Sequence, residues 1–235
     1  MEAASTLRRV IAEKGRANVI FAAAPSQNEF LQALLAAGDL HWDRVHAYHM
    51  DEYLGLPADA PQGFGNFLVE RLFRHMPFAS VSLINGNAAD PEAECVRYAG
   101  LLAAAPPDMV CMGIGENGHI AFNDPPDARF DDPRAVRVVK LDETCRIQQV
   151  HDGCFPLLEK VPTHALTLTI PTLFSAPAIF CMVPAATKAT AVRNTLQGPV
   201  TEQVPASILK THANAFLFLD RDSASELDHE RGEVR

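Results

Sequence analysis

Residues 109–126 are MVCMGIGENGHIAFNDPP, a nearly continuous apolar run that leads into a glycine-rich loop. The run at 109–115 contains no charged residue, which is typical of a strand covered on both faces of a parallel sheet. Three glycines of the loop match the G-x-G-x-x-G pattern of dinucleotide-binding sites, but that pattern must open a helix at the pyrophosphate. Two consecutive prolines at 125–126 stop any long helix here. We therefore predict a buried strand followed by a loop, and no dinucleotide site.

On both sides of this stretch, short apolar runs alternate with helical patterns. We expect strands at 17–24, 45–50, 81–84, 109–115, 135–141, 165–170, 178–183 and 213–219, and helices at 28–37, 64–75, 92–103 and 186–197. This alternation predicts a single-domain α/β fold with a doubly wound, mainly parallel sheet and helices on both faces. We place the domain at residues 1–220 and a charged, frayed C-terminal tail at residues 221–235.

The composition excludes several classes of protein. The chain has 235 residues with 20 Lys and Arg against 29 Asp and Glu, and this net charge of −9 excludes a broad nucleic-acid surface. It has no apolar run long enough to span a membrane, so we expect no membrane contact. Its five cysteines are odd in number and include no C-x-x-C pair, which predicts a reducing, cytoplasmic location and no cysteine metal site.

Ligands of open α/β sheets bind outside the carboxyl ends of the strands. Four segments of this chain meet that condition, namely residues 25–28, 50–53, 113–126 and 184–188. They contain polar side chains suited to substrate binding and proton transfer, and we expect them to form one site.

Two of these segments resemble the glucosamine-6-phosphate deaminase/isomerase family, namely MDEYLGLP at 50–57 and GIGENGHIAFNDPP at 113–126. NGNAADPEAEC at 85–95 and HALTLTIPTL at 164–173 extend the resemblance over nearly the whole chain. The resemblance implies a Rossmann-like fold and a hydrolase/isomerase of amino sugar metabolism and N-acetylglucosamine catabolism. Such an enzyme converts an amino sugar 6-phosphate, most simply glucosamine 6-phosphate, and water to fructose 6-phosphate and ammonia. It needs no metal and no organic cofactor.

The same resemblance implies roles for four catalytic residues. Asp51 is the base that moves a proton between C2 and C1 of the sugar. His119 exchanges the proton that opens the sugar ring. Asn117 and Asp124 stand where the family usually has an Asp and a Glu that assist the histidine. An amide does not stabilise an imidazolium by charge, so we expect Asn117 to orient the ring by a hydrogen bond and the ring-opening step to be retuned.

The segment that should bind the substrate phosphate also departs from the family. The usual Gly- and Thr-rich turn is replaced by APSQN at residues 24–28. We expect Ser26 to cap the next helix and to bind an anion with free backbone amides. The position of a phosphate-binding arginine falls near residues 148–151. The substrate-binding residues that we predict are Ser26, Gln27, Gly115, Gly118, Lys188 and, as a pH-dependent replacement for the arginine, His151.

Two alternative functions remain open from the sequence. The 6-phosphogluconolactonases share the fold and the Gly-His step, but they usually continue as GHTASLFP, whereas this chain has GHIAFNDP. A sugar-phosphate sensor without catalysis is the second alternative, suggested by Asn117 and by the altered turn at 24–28. The sequence leaves open the identity of the sugar epimer and the oligomeric state, including a homo-oligomer.

Overall fold

The computed structural model describes residues 2–228, which form seven α-helices and nine strands. The helices are α1 (Glu2–Lys14), α2 (Asn28–Ala36), α3 (Phe64–Arg71), α4 (Pro91–Ala104), α5 (Glu143–His151), α6 (Ile170–Phe174) and α7 (Ala189–Gln197). The strands are β1 (Ala17–Phe21), β2 (Val45–His49), β3 (Asp51–Tyr53), β4 (Ser80–Ser82), β5 (Met109–Met112), β6 (Val136–Lys140), β7 (His164–Leu168), β8 (Ala178–Val183) and β9 (Ala215–Leu219).

Six strands form one parallel sheet in the order β4-β2-β1-β5-β8-β9. Every residue of β1, β5 and β8 is buried, as expected for strands in the middle of a sheet with helices on both faces. The strand order reverses between β1 and β5, and this is where open α/β sheets place their ligands. The predicted fold class is thereby confirmed.

Two hydrophobic cores lie on opposite faces of this sheet. Val19 and Phe21 of β1 belong to one core, and Ile20 between them belongs to the other. This follows from strand geometry, because successive side chains point to opposite faces. Helices α1 and α2 contribute Leu7 and Leu34 to the first core, whereas α4 and α7 pack on the second.

A second, antiparallel sheet in the order β3-β7-β6 was not expected. The runs at 135–141 and 165–170 were predicted to join the parallel sheet, and this assignment is wrong. A short apolar run fits a strand of either sheet, and its partner and direction are not encoded locally. Strand β3 joins the two sheets in sequence, since it follows β2 by one residue and pairs Asp51 with Thr167.

The C-terminal residues differ in part from the predicted frayed tail. Residues 221–226 form turns in which Ser223 is buried and Glu226 bonds to Thr190 and Arg193 of α7. The rest of the predicted tail, residues 229–235, lies outside the described residues, and the boundary after residue 220 stays a prediction. No helix among residues 2–228 is both long enough and apolar enough to cross a membrane.

Candidate active site

A cavity of about 220 Å³ lies at the carboxyl ends of the central strands. Its walls come from all four segments that the sheet rule selects, those that follow β1, β2, β5 and β8. Of the predicted site residues, it is lined by Ser26, Gln27, Asp51, Gly115, His119 and Lys188. Four separate stretches of sequence therefore meet at one place, because parallel strands end on the same edge of the sheet.

Asp51 is the first residue of β3 and is only 6% exposed. Burial raises the pKa of its carboxyl group well above the ordinary value, and the neighbouring charge of Glu52 raises it further. A carboxylate with a raised pKa is a stronger base than one in water, and it faces the cavity.

The carboxylate of the adjacent Glu52 is bound by backbone N–H groups. Its carboxylate accepts hydrogen bonds from the backbone N–H groups of Tyr53, Phe64 and Gly65, at 2.9, 3.0 and 2.8 Å. Phe64 and Gly65 begin α3, so Glu52 satisfies two donors at the N-terminus of that helix. The two neighbouring acidic residues therefore have different positions: Asp51 faces the cavity, and Glu52 holds the N-terminus of a helix.

The glycine loop after β5 brings His119 to the cavity. Its backbone closes through bonds from Gly115 N–H to the His119 carbonyl and from Gly118 N–H to the Gly115 carbonyl, both 3.0 Å. Gly118 has a φ of +85°, which favours glycine. A Cβ atom at position 115 would overlap the His119 ring, so only glycine leaves room for the imidazole.

His119 lies against Asp124, which belongs to the same loop. Nδ1 of the ring is 3.0 Å from Oδ1 of Asp124, so the shorter Asp side chain does reach the ring. Burial acts to raise the pKa of Asp124, but hydrogen bonds with His119 and Asn117 and the charge of His119 outweigh it and lower that pKa. Asp124 is therefore kept in its ionised form beside the imidazole ring.

Asn117 contacts the carboxylate and the backbone rather than the ring, contrary to the sequence expectation. Its Nδ2 donates to Asp124 Oδ1 at 3.1 Å, and its Oδ1 accepts from the His119 backbone N–H at 3.0 Å. It orients His119 indirectly, through Asp124 and the loop. Asn117, Asp124 and Gly118 stand behind His119 and do not themselves line the cavity.

Lys188 enters the cavity from a short 3-10 turn, Ala186–Lys188, between β8 and α7. It is 6% exposed, and the described residues provide no ion-pair partner for it. Burial lowers the pKa of its amine, while the carboxylates of Asp152 and Glu116 act in the opposite direction. An unpaired, buried cation at the cavity wall is suited to bind an anionic or polar group.

The turn after β1 offers fewer backbone donors than expected. Pro25 has no N–H, the Gln27 N–H bonds to the Ala24 carbonyl, and the Asn28 N–H bonds to the Pro25 carbonyl. Helix α2 is capped at Gln27 without a side-chain bond, so the assignment of Ser26 as the cap is wrong. The Ser26 hydroxyl instead lies 3.3 Å from Gln27 Nε2.

Helix α5 contributes residues that the sequence analysis missed. Gln148, Gln149 and Asp152 line the cavity, whereas His151 is exposed and does not line it. Its Nδ1 lies 3.5 Å from Glu116 Oε2, because it occupies the outer face of the helix. The helix itself had a detectable signal, since Asp142 is an N-cap whose side chain accepts from the Thr144 N–H.

One group among the described residues has the composition of a metal site. His119, Asp124 and Cys145 place ligand atoms within 4.8 Å of one another. Burial raises the pKa of the Cys145 thiol well above its ordinary value, with nearby Asp124 adding to the effect. A thiol binds metals as the thiolate, so this group is poorly prepared to bind a cation.

The fold and site define an α/β enzyme class whose loops place carboxylates, a lysine and a histidine around a cavity at the carboxyl ends of the strands. The family model described as glucosamine-6-phosphate isomerases/6-phosphogluconolactonase matches residues 1–218, and the chain belongs to this family.

Individual relatives make the assignment more specific. A glucosamine-6-phosphate deaminase of Bacillus cereus is 38% identical over 195 residues, which are 83% of this chain and 72% of that protein. A solved structure described as a monomeric glucosamine-6-phosphate deaminase of the NagB superfamily has a TM-score of 0.87 and 33% identity, covering 95% of this chain and 93% of its own. The 6-phosphogluconolactonase of Thermotoga maritima has a TM-score of 0.75 and 17% identity over 93% and 91% of the chains, which shows the shared fold.

Proposed function

We propose that this protein is an aldose–ketose isomerising deaminase, which converts glucosamine 6-phosphate and water to fructose 6-phosphate and ammonia. The observation that carries this proposal is the shared cavity: Asp51, His119 and Lys188 line it. Asp124 lies behind His119, with Oδ1 3.0 Å from Nδ1 of the ring. The deaminases among the relatives support the same substrate class.

In the proposed mechanism, His119 exchanges a proton with the ring oxygen and the anomeric hydroxyl, which opens the sugar. Asp124 accompanies this step by stabilising the positive charge on the imidazole. Asp51 then removes the proton from C2 and returns it to C1, while the C1 oxygen gains a proton to become a hydroxyl and the amine loses one to become the C2 imine. Its burial supports this role, because the raised pKa increases its strength as a base. Water adds to the resulting C2 imine, and ammonia leaves.

Replacement of Asp51 tests the proposal most directly. We expect Asp51→Asn to lower kcat for glucosamine 6-phosphate by at least about a hundredfold, as general-base catalysis contributes roughly that much or more. The measurement follows ammonia and fructose 6-phosphate in the same samples. Asp59→Asn is the matched control, because Asp59 is exposed and outside the cavity. Full turnover by Asp51→Asn would exclude this residue as the base.

The two alternatives have separate outcomes in the same assay. Loss of 6-phosphogluconolactone above the spontaneous rate, without ammonia from any amino sugar, would favour a lactonase. Thermal stabilisation by glucosamine 6-phosphate without any product would favour a sensor. Galactosamine 6-phosphate, assayed in parallel, examines the epimer at C4.

A further inference from the structure

The C-terminus of α5 ends in a hydrogen-bonded turn at the cavity, where it places the carboxylate of Asp152. The N–H of Gly153 bonds to the Val150 carbonyl, and the N–H of Cys154 bonds to the Gln149 carbonyl, at 3.0 Å each. With Gly153 at a φ of +72°, these bonds form a Schellman ending. Asp152, the last residue before this glycine, lines the cavity, and its Oδ2 accepts from Gln148 Nε2 at 3.2 Å.

Asp152 is unfavourable for the helix that carries it. The C-terminus of a helix has a partial negative charge, which favours cations and disfavours carboxylates. The described residues form no contact ion pair with Asp152; the favourable charge near it is that of Lys188, which does not belong to the helix. Helix stability therefore gives no reason for a carboxylate at this position.

The cavity wall around Asp152 combines donors with an acceptor. Lys188 is a donor only, Gln148 and Gln149 have both kinds of group, and the carboxylate of Asp152 is an acceptor only. A phosphate dianion is also an acceptor only, and it would meet Asp152 with charge repulsion and no hydrogen bond. A hydroxyl or a singly charged phosphate has an O–H that Asp152 can accept.

We propose that Asp152 is a specificity residue. Where it lines the cavity, a terminal oxygen group of the ligand that donates a hydrogen bond binds in preference to a phosphate dianion. This inference rests on the proposed function, because it assigns the end of the sugar that lies away from the reacting carbons. Two ligands share the required chemistry, the hydroxyl of an unphosphorylated amino sugar and the monoanion of its phosphate.

The titratable groups around Asp152 and Lys188 belong to three parts of the fold. They are Lys188 itself after β8, Glu116 in the loop after β5, and Cys145, His151 and Cys154 on or next to α5. The charges of these groups act more strongly on a phosphate than on a hydroxyl, so they contribute to the ratio of the two dissociation constants. They are the same in the wild type and in Asp152→Asn, so the difference between the two proteins isolates the contact with Asp152.

The test measures binding of 2-amino-2-deoxyglucitol and its 6-phosphate by calorimetry at pH 5.5 and pH 8. These ligands have no aldehyde, so they cannot isomerise. With a second phosphate pKa of about 6, the singly charged form falls from about three quarters to about one hundredth between these pH values. The variants are Asp152→Asn, which preserves shape and can still accept from Gln148, and Glu143→Gln, a control that removes an exposed charge from the same helix.

If the site selects the phosphate monoanion, we expect the preference of the wild type for the phosphorylated ligand to fall at least tenfold from pH 5.5 to pH 8. Asp152→Asn should abolish that fall, and Glu143→Gln should retain it. If the site selects the hydroxyl, the unphosphorylated ligand should bind more tightly than the phosphorylated one at both pH values. Asp152→Asn should then shift the preference towards the phosphorylated ligand.

Several results would overturn the inference. They are tight binding of the phosphorylated ligand at pH 8 that Asp152→Asn leaves unchanged or weakens, and failure of both ligands to bind. The proposed deamination is tested separately, by measuring ammonia release from glucosamine and from glucosamine 6-phosphate. Asp152-dependent binding without ammonia would refute the deaminase and retain the specificity residue.

Discussion

The amide at residue 117, where the sequence resemblance implies a carboxylate, has a clear structural consequence. Asn117 donates to the same oxygen of Asp124 that lies 3.0 Å from the His119 ring. Asp124 thus receives a neutral donor where a second carboxylate would repel it. The hydrogen bond contributes to the lowered pKa of Asp124, which keeps that residue ionised beside His119.

Asn117→Asp should therefore raise the pKa of Asp124, because it replaces a hydrogen-bond donor with a like charge. Titration of the Asp124 carboxyl carbon by NMR measures this directly. Turnover at pH 5 should fall more than turnover at pH 8. Asn87→Asp adds the same charge at an exposed position and should leave the Asp124 titration unchanged. An unchanged or lower pKa in Asn117→Asp would contradict the assigned role of this hydrogen bond.

At the scale of elements, β3 holds α3 in place through one side chain. Glu52 of β3 accepts from the N–H groups of Phe64 and Gly65 at the start of the helix. Carboxylates are favoured at this position because the N-terminus of a helix has a partial positive charge. Burial nevertheless raises the pKa of Glu52 despite the three backbone bonds that act to lower it.

Glu52→Gln should destabilise the protein by about 2 kcal/mol, because the amide places an N–H group against a backbone donor and removes a charge-assisted bond. For a chain of this length, that corresponds to a Tm lower by roughly 4–8 °C. Calorimetry or urea unfolding measures the change. Glu70→Gln is the control, since Glu70 lies exposed at the other end of α3. A loss below about 0.5 kcal/mol would show that Glu52 does not anchor the helix.

Elements with local signals were predictable from the sequence. Strand β8 has the predicted bounds, and α2 and α4 differ by one residue at their ends. Strands β6 and β7 were found, but their sheet was not, because pairing is decided by contacts between distant residues. The same distinction applies to the site. Asp51, His119 and Lys188 follow strands and could be located by the strand-end rule, whereas Asp152 reaches the cavity through the docking of a helix.

For the molecule as a whole, the fold encloses a histidine that the mechanism does not use. His49 ends β2, is 1% exposed, and its two ring nitrogens have no hydrogen-bond partner among the described residues. Burial lowers its pKa from 6.5 to about 3, although the charge of Glu94 acts to raise it. Glu52 Oε2 lies 3.8 Å from Nε2, and the ring packs edge-on against Tyr98.

This histidine should make the whole fold sensitive to acid. Between pH 6.5 and pH 3 the unfolded chain takes up a proton on His49 that the folded protein excludes, so stability is full above pH 6.5 and falls below it. With these pKa values, the loss between pH 7 and pH 5 is about 2 kcal/mol.

His49→Phe keeps an aromatic ring beside Tyr98 and removes the titrating group. In urea unfolding at both pH values, the variant should lose about 2 kcal/mol less than the wild type. The exposed His41→Phe should behave as the wild type does. An identical pH dependence in His49→Phe would mean that the folded protein admits the proton, and that other groups cause any acid instability.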